Sequence, residues 1–417
     1  EYINQPIIMV HGNADKRINI KYGKANFSKL KSIDKEFIEK GKEMSENQLF
    51  DYINRCLQIA KNGLGSTRPN PMVGSVIVYN NKIIGEGYTS EYGGNHAEVN
   101  AINSVIDKNL IQHSTAYVSL EPCSHFGRTP PCAKALIDAG VSKVIAAMVD
   151  PNPHVSGRGL AMLEQAGIDT QSGLLEQDAN ALNVGFINRM TLGFPYVRCK
   201  LAASLDAKTA MASGESQWIT SKAARQDVQK LRAQSCAIIA GADSILIDNA
   251  RMNVRWSGLG DAQLHYREDA VRQPVRVVID TKNRLTPELA FFSVESPILL
   301  IRTSIENSHQ WPHFVEEVIL PNALNSDYVD LTALLKTLAK KEYNEVLIES
   351  GMTLAGAFIE QNLVDELVLY QAPKLMGHDG KGLLTMPLVQ NLSQAKSLTF
   401  SDITLVGSDL KITAKFT

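Results

Sequence analysis

His96-Ala-Glu-Val99 and Glu121-Pro-Cys-Ser-His-Phe-Gly-Arg-Thr-Pro-Pro-Cys132 are the stretches on which the reading of this chain turns. Zinc prefers imidazole and thiolate, and a catalytic site keeps three protein ligands with one position open for water. His96, Cys123 and Cys132 supply those three. Glu98 stands two residues beyond His96 at a predicted helix start, so it can face the open position without binding the metal. A metal lowers the pKa of bound water toward ~7, and a neighbouring carboxylate can then carry its proton to a substrate nitrogen. Pro130-Pro131 put Cys132 at a helix N-terminus, where the dipole favours a thiolate. A structural zinc would want a fourth protein ligand. His125 is a candidate, though its closeness to Cys123 makes the geometry awkward. Unrelated buried cysteines would leave the His-x-Glu element unexplained.

Outward from these stretches, strands and helices alternate. Val73–Tyr79 and Ile83–Tyr88 flank Asn80-Asn81-Lys82 as a predicted β-hairpin. A helix is expected from His96, with Val99, Ile102, Val105 and Ile106 on its apolar side. Ala116–Leu120 reads as a strand, Cys132–Ala139 as a helix and Lys143–Met148 as a buried strand, an α/β/α layer pattern. Arg189–Pro195 is read as the boundary to a second half. There Tyr196–Leu201, Cys236–Ala240, Val275–Ile279, Ile298–Ile301, Val346–Ile348, Leu367–Tyr370 and Lys411–Lys415 read as strands. A polar loop runs through Trp218, and a helix is expected from Ser221 to Leu231. The second half is therefore also α/β, and it does not resemble the first.

The 417 residues and 45.7 kDa fit two domains. Hydrophobic residues make up 44% and charged residues 21%, which excludes wholesale disorder. No apolar stretch approaches the ~18 residues of a membrane span. A net charge of −2 gives no global electrostatic reason to bind nucleic acid. Five irregularly spaced cysteines do not read as a disulfide framework, so a reducing, cytoplasmic setting is expected. Cys56, Cys199 and Cys236 read as packed thiols. Residues 1–43 carry nine Lys or Arg against six Asp or Glu, leaving 33 against 38 in the rest. They read as a leader or added extension before a start at Met44; a basic partner-binding arm is the other reading. Ser45-Glu-Asn-Gln48 is a capping-box pattern opening a helix through Phe50, Ile53, Leu57 and Ala60.

The His-x-Glu and Pro-Cys elements resemble the zinc deaminase signature, with one departure: eight residues, Ser124 to Pro131, separate the two cysteines instead of two. With this insert, the chain resembles the bifunctional riboflavin-biosynthesis deaminase/reductase family. Pro69-Asn-Pro-Met-Val-Gly74, Gly85-Glu-Gly-Tyr88 and Asp150-Pro-Asn-Pro153 carry the resemblance in the first half. Lys200-Leu-Ala-Ala-Ser-Leu-Asp206, Ala212-Ser-Gly-Glu-Ser-Gln-Trp-Ile-Thr220 and Glu349-Ser-Gly-Met-Thr-Leu-Ala-Gly356 extend it through the second. It implies a cytidine-deaminase-like α/β/α domain over 44–190 and a dihydrofolate-reductase-like α/β domain over 191–417. The implied reactions are zinc-dependent deamination of 2,5-diamino-6-(5-phosphoribosylamino)pyrimidin-4(3H)-one, then NADPH-dependent reduction of 5-amino-6-(5-phosphoribosylamino)uracil to the ribitylamino phosphate. Glu98 would be catalytic, with His96, Cys123 and Cys132 on zinc. Asn70 would hold the substrate while His125 and Arg128 face its phosphate; Asn70 could equally be a turn residue and Arg128 a solvated charge. The family often has His where this chain has Thr89. The resemblance further implies a homo-oligomer acting on a small molecule, without nucleic acid or membrane.

In the second half, Glu345–Glu349 reads as a strand, Gly351 as a tight turn and Thr353–Ile359 as a helix opening, an arrangement that can hold an anion. No G-x-G-x-x-G follows a strand, so a Rossmann site is not supported. By resemblance, Gly351, Met352, Thr353, Leu354, Ala355, Gly356 and Ala357 would contact cofactor phosphates. Ala202, Trp218, Ser244 and Asp248 would line the cofactor. Lys200, Ser216, Arg232, Met252, Arg255 and Glu349 would surround the substrate, Arg232 and Arg255 suiting its phosphate. Ala202, Ser244 and Met252 could instead simply pack, whereas Trp218 in so polar a loop suggests a stacking partner. Two competing readings are a tRNA-adenosine-type deaminase with an unrelated second domain, and a sensor with structural zinc.

Overall fold

A computed structural model describes residues 46–126, 130–153, 155–265, 268, 271–306, 309–324 and 326–416. The segment 1–43, the cap read at Ser45 and the phosphate contact read at Arg128 lie outside the described residues. Helix α1 (Glu46–Ala60) buries Ile53, Cys56, Leu57 and Ala60 along one stripe. Strands β1 (Gly74–Tyr79) and β2 (Lys82–Tyr88) form the hairpin. Its loop is two residues, because Asn80 and Asn81 both accept positive φ (48° and 60°) and so make a turn matching the strand twist.

Helix α2 (Ala97–Ser104), β3 (Thr115–Val118), α3 (Cys132–Ala139), β4 (Lys143–Ala146), α4 (Arg158–Gln165) and β5 (Asp169–Ser172) complete the first sheet. Its order is β2-β1-β3-β4-β5, antiparallel through β3 and parallel beyond. Gly74 abuts the Cys56 carbonyl on α1, while Gly85 and Gly87 abut the backbone of Ala101 on α2. In the pairing register Gly74 and Gly85 point to opposite faces, so α1 and α2 cover opposite sides of β1 and β2. A Cβ at Gly87 would lie 2.3 Å from the Ala101 nitrogen, which fixes glycine there. The predicted apolar face of α2 is shifted. Ala97, Glu98, Ala101 and Val105 are buried, whereas Ile106 is 99% exposed, because the helix stops at Ser104 and the chain turns outward.

Helices α5 (Glu176–Leu182) and α6 (Val184–Leu192) lead into β6 (Tyr196–Ser204). Then follow β7 (Lys208–Ala210), α7 (Lys222–Ala233), β8 (Ala237–Gly241), α8 (Ala242–Asp248), β9 (Val275–Ile279), β10 (Ile298–Arg302), β11 (Val315–Ile319) and α9 (Leu331–Lys340). The chain ends with β12 (Glu345–Glu349), α10 (Met352–Glu360), β13 (Glu366–Ala372), β14 (Lys381–Gly382), β15 (Leu398–Val406) and β16 (Asp409–Phe416). Nine strands run β11-β10-β9-β8-β12-β6-β13-β16-β15, parallel from β11 to β13 and antiparallel at the last two pairings. The central strands are apolar on both faces, as helix-covered parallel strands must be, with Ile239, Val277, Ile301 and Ile348 packed against Leu334, Leu338 and Phe358. Each such side chain contributes about 1.5–3 kcal/mol on burial.

The strands missed in the sequence, β5, β7, β11, β14 and β15, are short, polar or exposed, so they lack an apolar signature. Adjacent β8 and β12 connect onward in opposite directions along the sheet. Such a switch point, at the carboxyl ends of the strands, is where open α/β sheets bind ligands.

Candidate functional site

Two helix starts converge in the first half. His96 is the N-cap of α2, its backbone extended (φ −76°, ψ 167°). Cys132 is the first residue of α3, behind the Pro131 cap, and Cys123 lies on the loop that follows β3. The His96 Nδ1 is 3.6 Å from the Cys123 Sγ and 3.2 Å from the Cys132 Sγ, and all three donor atoms lie within 4.8 Å of one another. Tetrahedral zinc with ordinary bond lengths places N and S donors ~3.5 Å apart and two S donors ~3.8 Å apart. The donor set therefore fits zinc. His125, exposed at the cavity wall, is not part of this group, which leaves three protein donors among the described residues.

The N-terminal amides of α3 serve the same loop. Cys132 N–H donates to the Cys123 sulfur (3.3 Å) and Ala133 N–H to the Cys123 carbonyl (3.2 Å). The Cys132 thiol, then His96, pulls Cys123 down to about 4, in the thiolate range that metal binding needs. Glu98 is buried beside them. Burial first, and the neighbouring Cys123 sulfur second, push its carboxyl up to about 7, so it can take and return a proton near neutral pH. A cavity of about 380 Å³ opens onto His96, Glu98 and Cys123, and Asn70 and Thr89 line it. That volume suits one small-molecule substrate.

The sequence did not single out Glu121. It is buried, and its carboxylate accepts backbone N–H groups from Asp150 (3.0 Å), Gly157 (2.9 Å), Gly159 (2.8 Å) and Leu160 (3.3 Å). It thereby ties the loop after β4 and the start of α4 to the Pro122-Cys123 ligand loop. The only sequence signal was an acid directly before Pro-Cys; its partners are backbone groups far along the chain.

In the second half Glu349 ends β12, Lys200 lies beside it on β6, and Ser244 and Asp248 lie on α8, which follows β8. Arg232, on the last turn of α7, grips Glu349 at the end of β12 through two bonds of 2.6 and 2.9 Å. It also donates to the Asn253 carbonyl (3.0 Å) and contacts the Met252 sulfur (3.6 Å). Arg232, read as suiting a substrate phosphate, thus uses these donors to hold the 252–253 loop against β12. Arg255 beside it is exposed. Lys200 pairs in register with Glu349, and burial lowers its ammonium below the ordinary range against the opposing pull of Glu349. Burial works against the Glu349 charge, yet Arg232 and Lys200 hold its carboxyl below the usual value.

Met252 is buried at φ 50° among Ile245, Phe291 and Leu300 and serves packing, and Ala202 packs against Val228 and Tyr370. Ser244 is half-buried and Asp248 exposed on α8, and Ser216 is half-buried in the polar loop. Trp218 does have a stacking partner: the Arg225 guanidinium lies 4.4 Å from its ring centre. Gly351, read as a tight turn, caps α10 with extended backbone (φ −70°). Met352, Thr353 and Leu354 form the first turn, whose amides lack helical acceptors. Ala355 is core, and Gly356 meets the Thr385 carbonyl, so these two serve packing; Ala357 is half-buried against the same core.

Residues 46–148 match the cytidine and deoxycytidylate deaminase zinc-binding region, and residues 195–412 match the RibD C-terminal domain. The riboflavin biosynthesis protein RibD of Escherichia coli is 48% identical over 360 residues, covering 86% of this chain and 97% of that protein. The chain belongs to the RibD family. It is thus a bifunctional deaminase and reductase of riboflavin biosynthesis. Among solved structures, Acinetobacter baumannii RibD superposes with a TM-score of 0.80 at 38% identity, over 89% of this chain and 99% of that one. The diaminohydroxyphosphoribosylaminopyrimidine deaminase/5-amino-6-(5-phosphoribosylamino)uracil reductase of Thermotoga maritima gives 0.77 at 29% identity, with the same coverage. Among the described residues no helix is long and apolar enough to cross a membrane.

Proposed function

We propose that this RibD-family chain deaminates 2,5-diamino-6-(5-phosphoribosylamino)pyrimidin-4(3H)-one in the first cavity and reduces 5-amino-6-(5-phosphoribosylamino)uracil at the β8/β12 switch point. The observation that carries the first assignment is the three-donor His96, Cys123, Cys132 group opening onto a cavity that also holds Glu98. Zinc held there supplies an activated water and a Lewis acid. Glu98 accepts a proton and passes it to the departing amino nitrogen, which leaves as ammonia. Asn70 orients the pyrimidine, and His125 and Arg128 receive the phosphate.

The second assignment rests on the α10 helix start and on the cationic cluster beside it. Gly351–Leu354 would hold the phosphates of NADPH, which would supply the hydride for the carbon of the ring-opened imine. Lys200 gives the proton that the imine nitrogen takes up as hydride reaches the carbon, since burial lowers its ammonium below the ordinary range. Glu349 and Arg232 fix the substrate loop, and Arg255 faces the phosphate. We place the deaminase domain at 44–190 and the reductase domain at 191–417, with 1–43 preceding both, and the enzyme in the cytoplasm without nucleic-acid partners. Edge strand β15, with Phe400, Ile403 and Leu405 exposed, supports a homo-oligomer.

The test is substrate-dependent NADPH oxidation by zinc-loaded protein. Consumption of NADPH equal to the ammonia released supports two linked reactions. Ammonia release with no NADPH oxidation would overturn the second assignment.

A further inference from the structure

The deamination cavity is bounded in part by residues beyond the deaminase sheet: Phe186, Arg189 and Met190 of α6, and Glu342 from the loop before β12. Asn344, in that same loop, is buried and touches two walls. Its Nδ2 donates to the Pro69 carbonyl (2.8 Å), one residue before Asn70, and its Oδ1 accepts from Arg189 Nε (2.7 Å). Arg189 lines the cavity while its Nε is held by Asn344. A second residue of the reductase half, Arg272, donates to the Arg68 carbonyl (3.2 Å).

The docking is close. A Cβ on Gly185 would lie 2.5 Å from the Asn344 carbonyl oxygen, so α6 rests directly on this loop. Gly185 and Arg189, four residues apart, share that helix face. At the other end of β12, five residues at ~3.3 Å each put Glu349 and the reductase cluster ~17 Å away.

We infer that the deaminase site is completed from the reductase half, with Asn344 a positioning residue for deamination that fixes both the Asn70 turn and the Arg189 guanidinium. The inference rests on reading that cavity as the deamination site. Two lost hydrogen bonds at a substrate wall translate to about a tenfold or larger rise in KM for ammonia release. In the full-length, zinc-loaded protein, Asn344→Leu shows that rise with zinc content intact. Its NADPH oxidation on the already deaminated substrate stays at the wild-type rate. Asn344→Asp keeps the acceptor for Arg189 but loses the donor to Pro69, and gives a smaller rise; it decides the matter if the leucine variant does not fold. Wild-type KM in Asn344→Asp and Asn344→Leu overturns the inference, as does a parallel fall of both reactions. Ammonia release that survives Glu98→Gln would instead remove the underlying reading of the cavity.

Discussion

The zinc-donor group and the Arg232–Glu349 cluster both lie at the ends of regular elements, but their charge balance is opposite. The first gathers two thiols, an imidazole and the Glu98 carboxyl, with no lysine or arginine among the donors. The second gathers Arg232, Lys200 and Arg255 around one carboxylate. Burying charge is costly unless it is matched, so each excess announces the sign of its missing ligand. The first site is short of a cation and suits a metal. The second is short of an anion and suits phosphate-bearing ligands. The difference extends to what the groups touch: Glu98 lines an open cavity, while Arg232 holds the 252–253 loop against Glu349.

The largest expected effect separates the sites most sharply. Glu98→Gln should lower ammonia release by about 10²–10⁴-fold while zinc stays bound and reduction of the deaminated substrate is unchanged. Loss of zinc together with activity would make Glu98 part of the metal site and erase its role as proton carrier.

Arg232→Met probes the second cluster. It strips Glu349 of both its guanidinium bonds and leaves Lys200 as the nearest cation, an expected loss of up to about 3–5 kcal/mol in denaturant unfolding together with loss of reduction. The wild-type Glu349 pKa is depressed, so its ion pair contributes stability above the unfolded carboxylate range and loses it as pH falls through the folded value. The penalty of the variant should therefore be largest near pH 7 and shrink toward pH 4. A penalty independent of pH would show that packing, not charge, is what Arg232 provides.

The smallest effect concerns a support of the same cluster. The Ser221 hydroxyl accepts the Ala224 N–H (3.2 Å) and caps α7, the helix that presents Arg232. Ser221→Ala should cost about 1 kcal/mol, seen as a lower unfolding midpoint, with ammonia release unaltered. A drop in ammonia release would mean that α7 also supports the first site.

Much of the first site was legible because its chemistry is local. His96-x-Glu98, Pro-Cys123 and Cys132 sit at helix starts and loop ends whose signals are short-range: a Pro-Pro before α3, and a glycine in left-handed conformation at Gly140 after it. The central strands were legible for a similar reason, since burial on both faces demands unbroken apolar runs such as Ile298–Ile301. Glu121 was not legible, because backbone amides from Asp150 to Leu160 satisfy its charge and leave no mark on side-chain type. The Arg232–Glu349 pair was not legible either, because the partner lies more than a hundred positions away, on β12. Edge strand β15 escaped because an exposed strand carries no periodic burial.

By itself the sequence determined which atoms could bind a metal, which strands had to be buried, and that two α/β halves follow one another. Those properties depend on residue type and short-range spacing, which the chain carries directly. The tertiary structure decided which charges neutralise each other and which remain for a ligand. It also decided that Asn344 of the second half reaches the Pro69 carbonyl and the Arg189 guanidinium in the first. Hydrogen bonds and desolvation act over a few ångströms of space, so such pairings exist only once β12 and α6 are packed side by side.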